Sequence, residues 1–331
     1  MKRKGIILTG LLLCTMAAFS QSRAGITGIR DSSYSLQKEL EKHRKNHPGI
    51  QLVKEGQHKE VTILKNILFC KTPERELKLD IYLPPKQSGR KKTAILFIHG
   101  GGWRSGDKNM HAALLEKLAA DGYVCFSPEY RLSTEALYPA AIHDIKSAIR
   151  WIRTHTKKYG IHPDRIIAAG HSAGGELAAF MGSTNGNLLF EGNGCYPGVS
   201  SRVNAVIDLD GTLAFIHPES GEGNDSLKTS AATYWFGYSK KERPDIWKEA
   251  APLTHAGNHC PPTLFINSSV NRMHAGRTDY IRILDSCEIY SSVKTFDNSP
   301  HSFCFFEPWF TPTITEMKNF INRVFVHRRK K

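Results

Sequence analysis

The chain has 331 residues, 40% of them hydrophobic and 10% aromatic. That is enough apolar material for one substantial core, and it excludes a disordered, collagen-like or membrane-bundle chain. The formal net charge is +14, half of it supplied by Lys2, Arg3 and Lys4 and by Arg328, Arg329, Lys330 and Lys331. The remainder shows no interleaving of basic and aromatic residues, so nucleic acid is not an expected partner.

Residues 1–20 read as an export signal: a basic start, an apolar stretch from Gly5 to Phe19, and small residues at Ala18 and Ser20. The stretch falls short of the roughly 20 apolar residues that span a bilayer. The mature protein is therefore expected in the periplasm or outside the cell, with no stable membrane anchor. Cys14 belongs to the signal, which leaves Cys70, Cys125, Cys195, Cys260, Cys287 and Cys304 in a compartment that permits disulfides. Cys70 and Cys125 lie in apolar, strand-like runs and read as buried packers. Cys195 and Cys260 flank loops and form the first pair to test. No His or Cys cluster has metal-ligand spacing, so neither a metal nor a cofactor is expected.

Residues 21–58 form a polar N-terminal arm, with one helical pattern over 34–45 ended by His47, Pro48 and Gly49. Residues 59–327 make the catalytic body and 328–331 a basic tail. The body opens with two strands joined by a turn, VTILKNILFC and LKLDIYLPP. Strands at 93–98, 123–128, 165–169, 203–209 and 263–267 then alternate with helices at 110–120 and 139–159, and 317–326 closes the chain. Such alternation predicts an α/β fold with a mostly parallel central sheet and helices on both faces. A Gly-, Ser- and Trp-containing segment from 212 to 252 breaks the rhythm. It is expected as a small insertion after the sixth strand, over the carboxyl edge of the sheet, where such folds bind ligands.

Residues 165–175, RIIAAGHSAGG, place Gly170, Ser172 and Gly174 in a GxSxG pattern between a strand and a helix. A nucleophilic serine on that sharp turn projects its hydroxyl freely, and the following backbone N–H points at the developing oxyanion. Upstream, HGGGW at 99–103 follows a buried strand, and consecutive glycines let backbone N–H groups turn outward. Gly101, Gly102 and the N–H of Ala173 are the expected oxyanion donors, with His99 orienting the loop. His301, in SPHSF after the last strand-like run, is the expected general base. His171 is set aside because its side chain diverges from that of its neighbour Ser172. The third member departs from the common pattern: after the strand PPTLFIN the place usually held by a carboxylate is Asn271. The preceding strand ends in VIDLDG, with Asp210 at its tip and Asp208 one alternation earlier on the same face. Asp210 is the candidate acid, and Asp208, Glu219 and Asp279 are the alternatives.

HGGGW, EYRLS at 129–133, GHSAGG and PHSF together resemble the HGGG-type α/β-hydrolase esterases, a group that includes acetylesterases, feruloyl esterases and formamidases. The likeness covers about residues 60 to 326. A narrower resemblance, through IDLDGTLAFIHPES, YWFGYS, PPTLFINSS, HAGR and PHSF followed by PWF, is to the pectin-acting, methylesterase-like α/β-hydrolases of gut bacteria. It implies the α/β-hydrolase fold and a serine esterase acting on a carbohydrate ester, an anionic pectic oligosaccharide first of all. Arg272, His274 and Arg277 would then hold galacturonate carboxylates, for which the guanidinium fork is suited, or else form structural ion pairs. Trp103, Trp235 and Trp309 are candidate sugar platforms, with core packing the ordinary role of such rings. An acetylesterase is the alternative, and a peptidase, an amidase or a non-catalytic binding protein on the same scaffold are remoter ones.

Overall fold

The computed structural model describes residues 25–85 and 91–325, so the expected export signal and the basic tail lie outside the described residues. Eight strands form one sheet: β1 (Thr62–Lys71), β2 (Glu76–Leu83), β3 (Lys92–Ile98), β4 (Val124–Pro128), β5 (Ile161–His171), β6 (Ala205–Leu209), β7 (Thr263–Asn267) and β8 (Ser291–Thr295). Their spatial order is β1-β2-β4-β3-β5-β6-β7-β8. The β1–β2 and β2–β4 pairings are antiparallel and all the others parallel. This is the α/β-hydrolase fold. The central strands β4, β6 and β7 are buried along their whole length, as a parallel sheet covered on both faces requires.

The helices are α1 (Leu36–Arg44), α2 (Ala112–Ala120), α3 (Ala140–Thr154), α4 (Ala173–Ser183), α5 (Ala231–Phe236), α6 (Pro244–Glu249), α7 (Arg277–Ser286) and α8 (Phe310–Phe325). One core layer packs α3, α4 and the insertion against the sheet, and the other packs α2, α8 and the arm. The insertion carries α5 and α6 and is held by its aromatic rings. Trp235, Phe236 and Trp247 are wholly buried, with Phe236 and Trp247 4.6 Å apart. The arm is bound to the body too. Ser35 caps α1 by accepting from the Lys38 N–H, Leu40 and Ile50 are buried, and residues 51–52 pair antiparallel with 306–307.

Three differences from the sequence reading have simple causes. The closing helix begins at Phe310 rather than 317, because Pro312 stands in the first turn, where a missing N–H costs no hydrogen bond. Strand β8 and helix α7 escaped notice because SSVKT is a polar edge strand and α7 buries little beyond Tyr280 and Leu284. Finally, Cys195 is bonded to Cys70, with Cα atoms 5.6 Å apart, and not to Cys260. Cys70 ends the edge strand β1, where the loop carrying Cys195 can reach it. Cys260 is a free thiol that takes the Tyr280 hydroxyl at 3.6 Å.

Candidate active site

The site is assembled at the carboxyl ends of β3, β5, β6 and β7. Ser172 stands between β5 and α4 with φ 58° and ψ −125°. Trp103 after β3 (φ 56°) and Asp210 after β6 (φ 53°) adopt the same sign of φ, so three neighbouring strand ends each hold a non-glycine residue in left-handed backbone. Such conformations cost on the order of 1–3 kcal/mol each and persist where the surroundings over-determine them. Backbone bonds do this here. The Ser172 N–H donates to Leu209 O at 2.8 Å, and the Asp210 N–H donates to Ile266 O at 3.0 Å.

The loop after β3 lies directly against the serine, since a Cβ on Gly100 would come within 3.0 Å of Ser172 Cβ. Gly101 has φ 113°, which a side chain would not tolerate, and its carbonyl is occupied by the Ser105 N–H and hydroxyl, both at 2.9 Å. With that carbonyl turned into the loop, the N–H groups of Gly101 and Gly102 have no acceptor among the described residues, and neither has that of Ala173. These are the three expected donors. His99 packs flat on Tyr130 with ring centroids 4.4 Å apart, and its Nδ1 meets Gly100 O at 2.8 Å. Burial pushes its imidazole down to about 4, against the Gly100 contact, so it is a neutral donor that fixes the loop.

Asp210 Oδ2 lies 2.9 Å from His301 Nδ1, and its Oδ1 accepts the Ser268 N–H at 2.8 Å. The carboxylate is wholly buried while the His301 side chain keeps 29% exposure. Burial alone would raise the carboxyl, but His274, His301 and the Ser268 side chain outweigh it and hold Asp210 well below the usual carboxylate range. An ionised partner at Nδ1 holds an imidazole in the tautomer whose Nε2 can take a proton.

The other acids are elsewhere. Asp208 accepts the Gly211 N–H at 2.6 Å, and burial pushes its carboxyl well above the usual carboxylate range. The left-handed backbone at Asp210 breaks the strand alternation that would have put both on one face. Asp279 and Glu219 flank His217, at 3.1 and 3.5 Å. Asn271 is exposed in the 3-10 turn Asn271–His274.

Over residues 79–273 the chain matches the BD-FAE family. The chain belongs to that family. Among curated proteins it is similar to Esterase LipC of Mycobacterium tuberculosis, 27% identical over 216 residues, which covers 64% of this chain and 52% of LipC. It is also similar to Lipase 2 of Moraxella sp., 34% identical over 141 residues, or 39% of this chain and 33% of the lipase. The chain thus spans about half the length of LipC. Among solved structures, a truncated carbohydrate esterase from gut microbiota superposes with TM-score 0.67 at 24% identity, covering 81% of this chain and 99% of that one. The apo form of Thermogutta terrifontis esterase 2 gives TM-score 0.65 at 24% identity, covering 81% and 96%. Both share the fold.

The residues of this BD-FAE chain expected to hold substrate fall into two groups. Trp103 is buried, stacked on Trp235 at 4.7 Å and 3°, and donates its Nε1–H to Glu176 at 3.0 Å; it packs rather than forming a sugar platform. Trp235 and Trp309 are buried likewise. Arg277 turns inward to Asn267 Oδ1 at 2.6 Å, and His274 sets Nε2 3.3 Å from Asp210 Oδ1. Only Arg272 of the six is exposed, 56% by side chain, with Nη1 3.6 Å from Glu222 Oε1. Sequence reasoning missed His171, whose Nε2 donates to the His301 carbonyl at 2.8 Å. Its divergence from Ser172 is real, and carries it to the backbone of His301.

Proposed function

We propose that the protein is an exported serine carboxylesterase that cleaves esters on plant cell-wall polysaccharide, pectin methyl esters before acetyl esters. The observation that carries the reading is the 2.9 Å contact between His301 Nδ1 and a buried, ionised Asp210, next to a serine held on a strained turn. In this reading Ser172 attacks the ester carbonyl while His301 accepts its proton and passes it to the leaving alcohol. The oxyanion is met by the N–H groups of Gly101, Gly102 and Ala173, and water then repeats the cycle on the acyl-enzyme. With a galacturonate methyl ester, methanol leaves and the galacturonyl group stays on Ser172.

The carbohydrate part is supported by the fold neighbour named a carbohydrate esterase and by the exposed Arg272, a fit for a uronate carboxylate. Export is supported by the character of residues 1–20 and by the Cys70–Cys195 disulfide, which belongs to an oxidising compartment. A peptidase with a large cap is disfavoured because the insertion is packed into the core.

The test is release of methanol and of acetate from methylated and acetylated pectins by wild type and Ser172→Ala, beside labelling with a fluorophosphonate. Methanol release that disappears in Ser172→Ala is the expected result. Acetate alone would make the enzyme an acetylesterase. Neither product, with Ser172 still labelled, would remove the pectin substrate; no labelling of folded protein would remove the serine esterase.

A further inference from the structure

His111, immediately before α2, is 2% exposed, and neither of its ring nitrogens has a hydrogen-bond partner among the described residues. A buried imidazole with both nitrogens unanswered has lost its interactions with water and gained none. Facing it, 5.6 Å away between ring centroids, is His171, whose Nδ1 is also buried and unpartnered. His171 Nε2 donates to the His301 carbonyl, which assigns the proton to Nε2 and leaves the Nδ1 lone pair free. The third member is Cys304, a free and wholly buried thiol. One donor atom from each of these residues lies within 4.8 Å of the others. They are far apart in the chain, so no local spacing announced them.

We propose that His111, His171 and Cys304 form a binding site for one thiophilic d10 cation, copper(I) or zinc(II). Two imidazole nitrogens and a thiolate are a donor set for these ions and not for magnesium or calcium, which want oxygen. The walls are aromatic: Phe97 and Phe305 each stand 4.6 Å from the His111 ring. In such dry surroundings copper(I) has two advantages. With one thiolate it is electrically neutral, and it is content with three ligands, whereas zinc would need a fourth, a water molecule. The His171 N–H on a backbone carbonyl is the outer-shell contact that fixes a ligating histidine. Access is provided by a cavity of about 420 Å³ between the arm and α2, lined by His111 and Cys304 with Leu52, Val53, Met110 and Phe310. Binding forms one bond from each donor to the ion, and the Cys304 thiol gives its proton to solvent; no redox step is involved. A bound ion would lash together the start of α2, the residue preceding Ser172 and the turn that follows His301.

The test uses the full protein, stripped with chelator and titrated under argon with copper(I) in competition with bathocuproine disulfonate. A parallel titration uses zinc(II) against a chromophoric zinc chelator, and X-ray absorption is recorded on whichever form loads. One equivalent per chain, with one sulfur and two nitrogens around the ion, is expected. Cys304→Ser and His111→Phe should each weaken binding by more than the roughly 10- to 100-fold that loss of an outer-shell partner costs. Cys260→Ser and Cys287→Ser should leave it unchanged. Zinc in the same sulfur and nitrogen shell would keep the site and change its ion. The proposal is overturned if neither ion binds stoichiometrically, if binding survives Cys304→Ser, or if the shell contains no sulfur. Should Cys304→Ser not fold, the absorption spectrum of the wild type decides.

Discussion

His274 approaches Asp210 Oδ1 to 3.3 Å, on the oxygen that His301 leaves free. One buried carboxylate therefore faces two imidazoles, of which His301 is the more exposed, 29% against 10% by side chain. Asp210→Asn should keep the fold and lower kcat by about 10,000-fold, the loss seen when a triad histidine is left in the wrong tautomer. Asp208→Asn, which alters a carboxyl bonded to the Gly211 N–H and not to His301, should leave kcat within a small factor. His274→Gln should lower kcat on the order of 10-fold with KM unchanged, less than misplacing a reacting group by 1 Å would cost. Steady-state kinetics on a model ester separates the three; a kcat as low in Asp208→Asn as in Asp210→Asn would refute the assignment of the acid.

The depth at which Glu176 is buried makes stability depend on pH. Burial raises its carboxyl well above the ordinary 4.5, with Asp208 adding to the rise and the Trp103 N–H opposing it. Below that ordinary value both folded and unfolded chains hold the proton, so nothing is lost. Above it the unfolded chain ionises first, and stability falls as pH rises, by up to about 1.4 kcal/mol per pH unit, until the folded carboxyl ionises too. Glu176→Gln keeps an acceptor for Trp103 and removes this loss. Its melting temperature should match the wild type near pH 4 and exceed it increasingly toward pH 8; parallel curves would refute the argument.

The disulfide joins residues 125 positions apart. In the chain-entropy account, a loop of that size restricts the unfolded state enough to contribute about 4–5 kcal/mol. Cys195→Ser should melt well below the wild type, and reductant should bring the wild type down to the variant. Reductant that has no effect would mean the bond does not form in solution.

Another test lies under the sheet. The Lys146 side chain is wholly buried, with Nζ 3.1 Å from Glu191 Oε1, and Arg150 bonds the other oxygen of the same carboxylate. Glu191→Gln would strand two cations and should cost about 3–5 kcal/mol in denaturant unfolding. Adding Lys146→Met to it should recover part of the loss.

Much of this fold was legible because it is written locally. TAILFI, which leads through His99 into three glycines, and RIIAAG, which ends in Gly170, are apolar runs whose order fixes which strand ends meet. Ser172 and the glycine loop could be located because each is a short motif at a strand end. His301 needed only its place after the last strand. Asp210 was harder: it was reached by elimination, and the left-handed backbone that turns it from Asp208 toward His301 leaves no mark on VIDLDG. The roles of His274 and His171 depend on contacts between distant segments, and the same is true of the Cys70 and Cys195 pair. A polar edge strand such as SSVKT gives no apolar signal to read.

The short pairing of residues 51–52 with 306–307 also decides where a shortened recombinant chain can begin. Cutting at residue 59, where composition alone would draw the boundary, takes away the strand partner of Phe306 and the Val53 N–H that donates to Phe305 O at 3.0 Å. It also uncovers the apolar bed in which Ile50 and Leu40 lie. The turn that follows His301 would then have water on the side where it now has protein, so a trimmed chain should lose the proposed esterase turnover before it loses its fold.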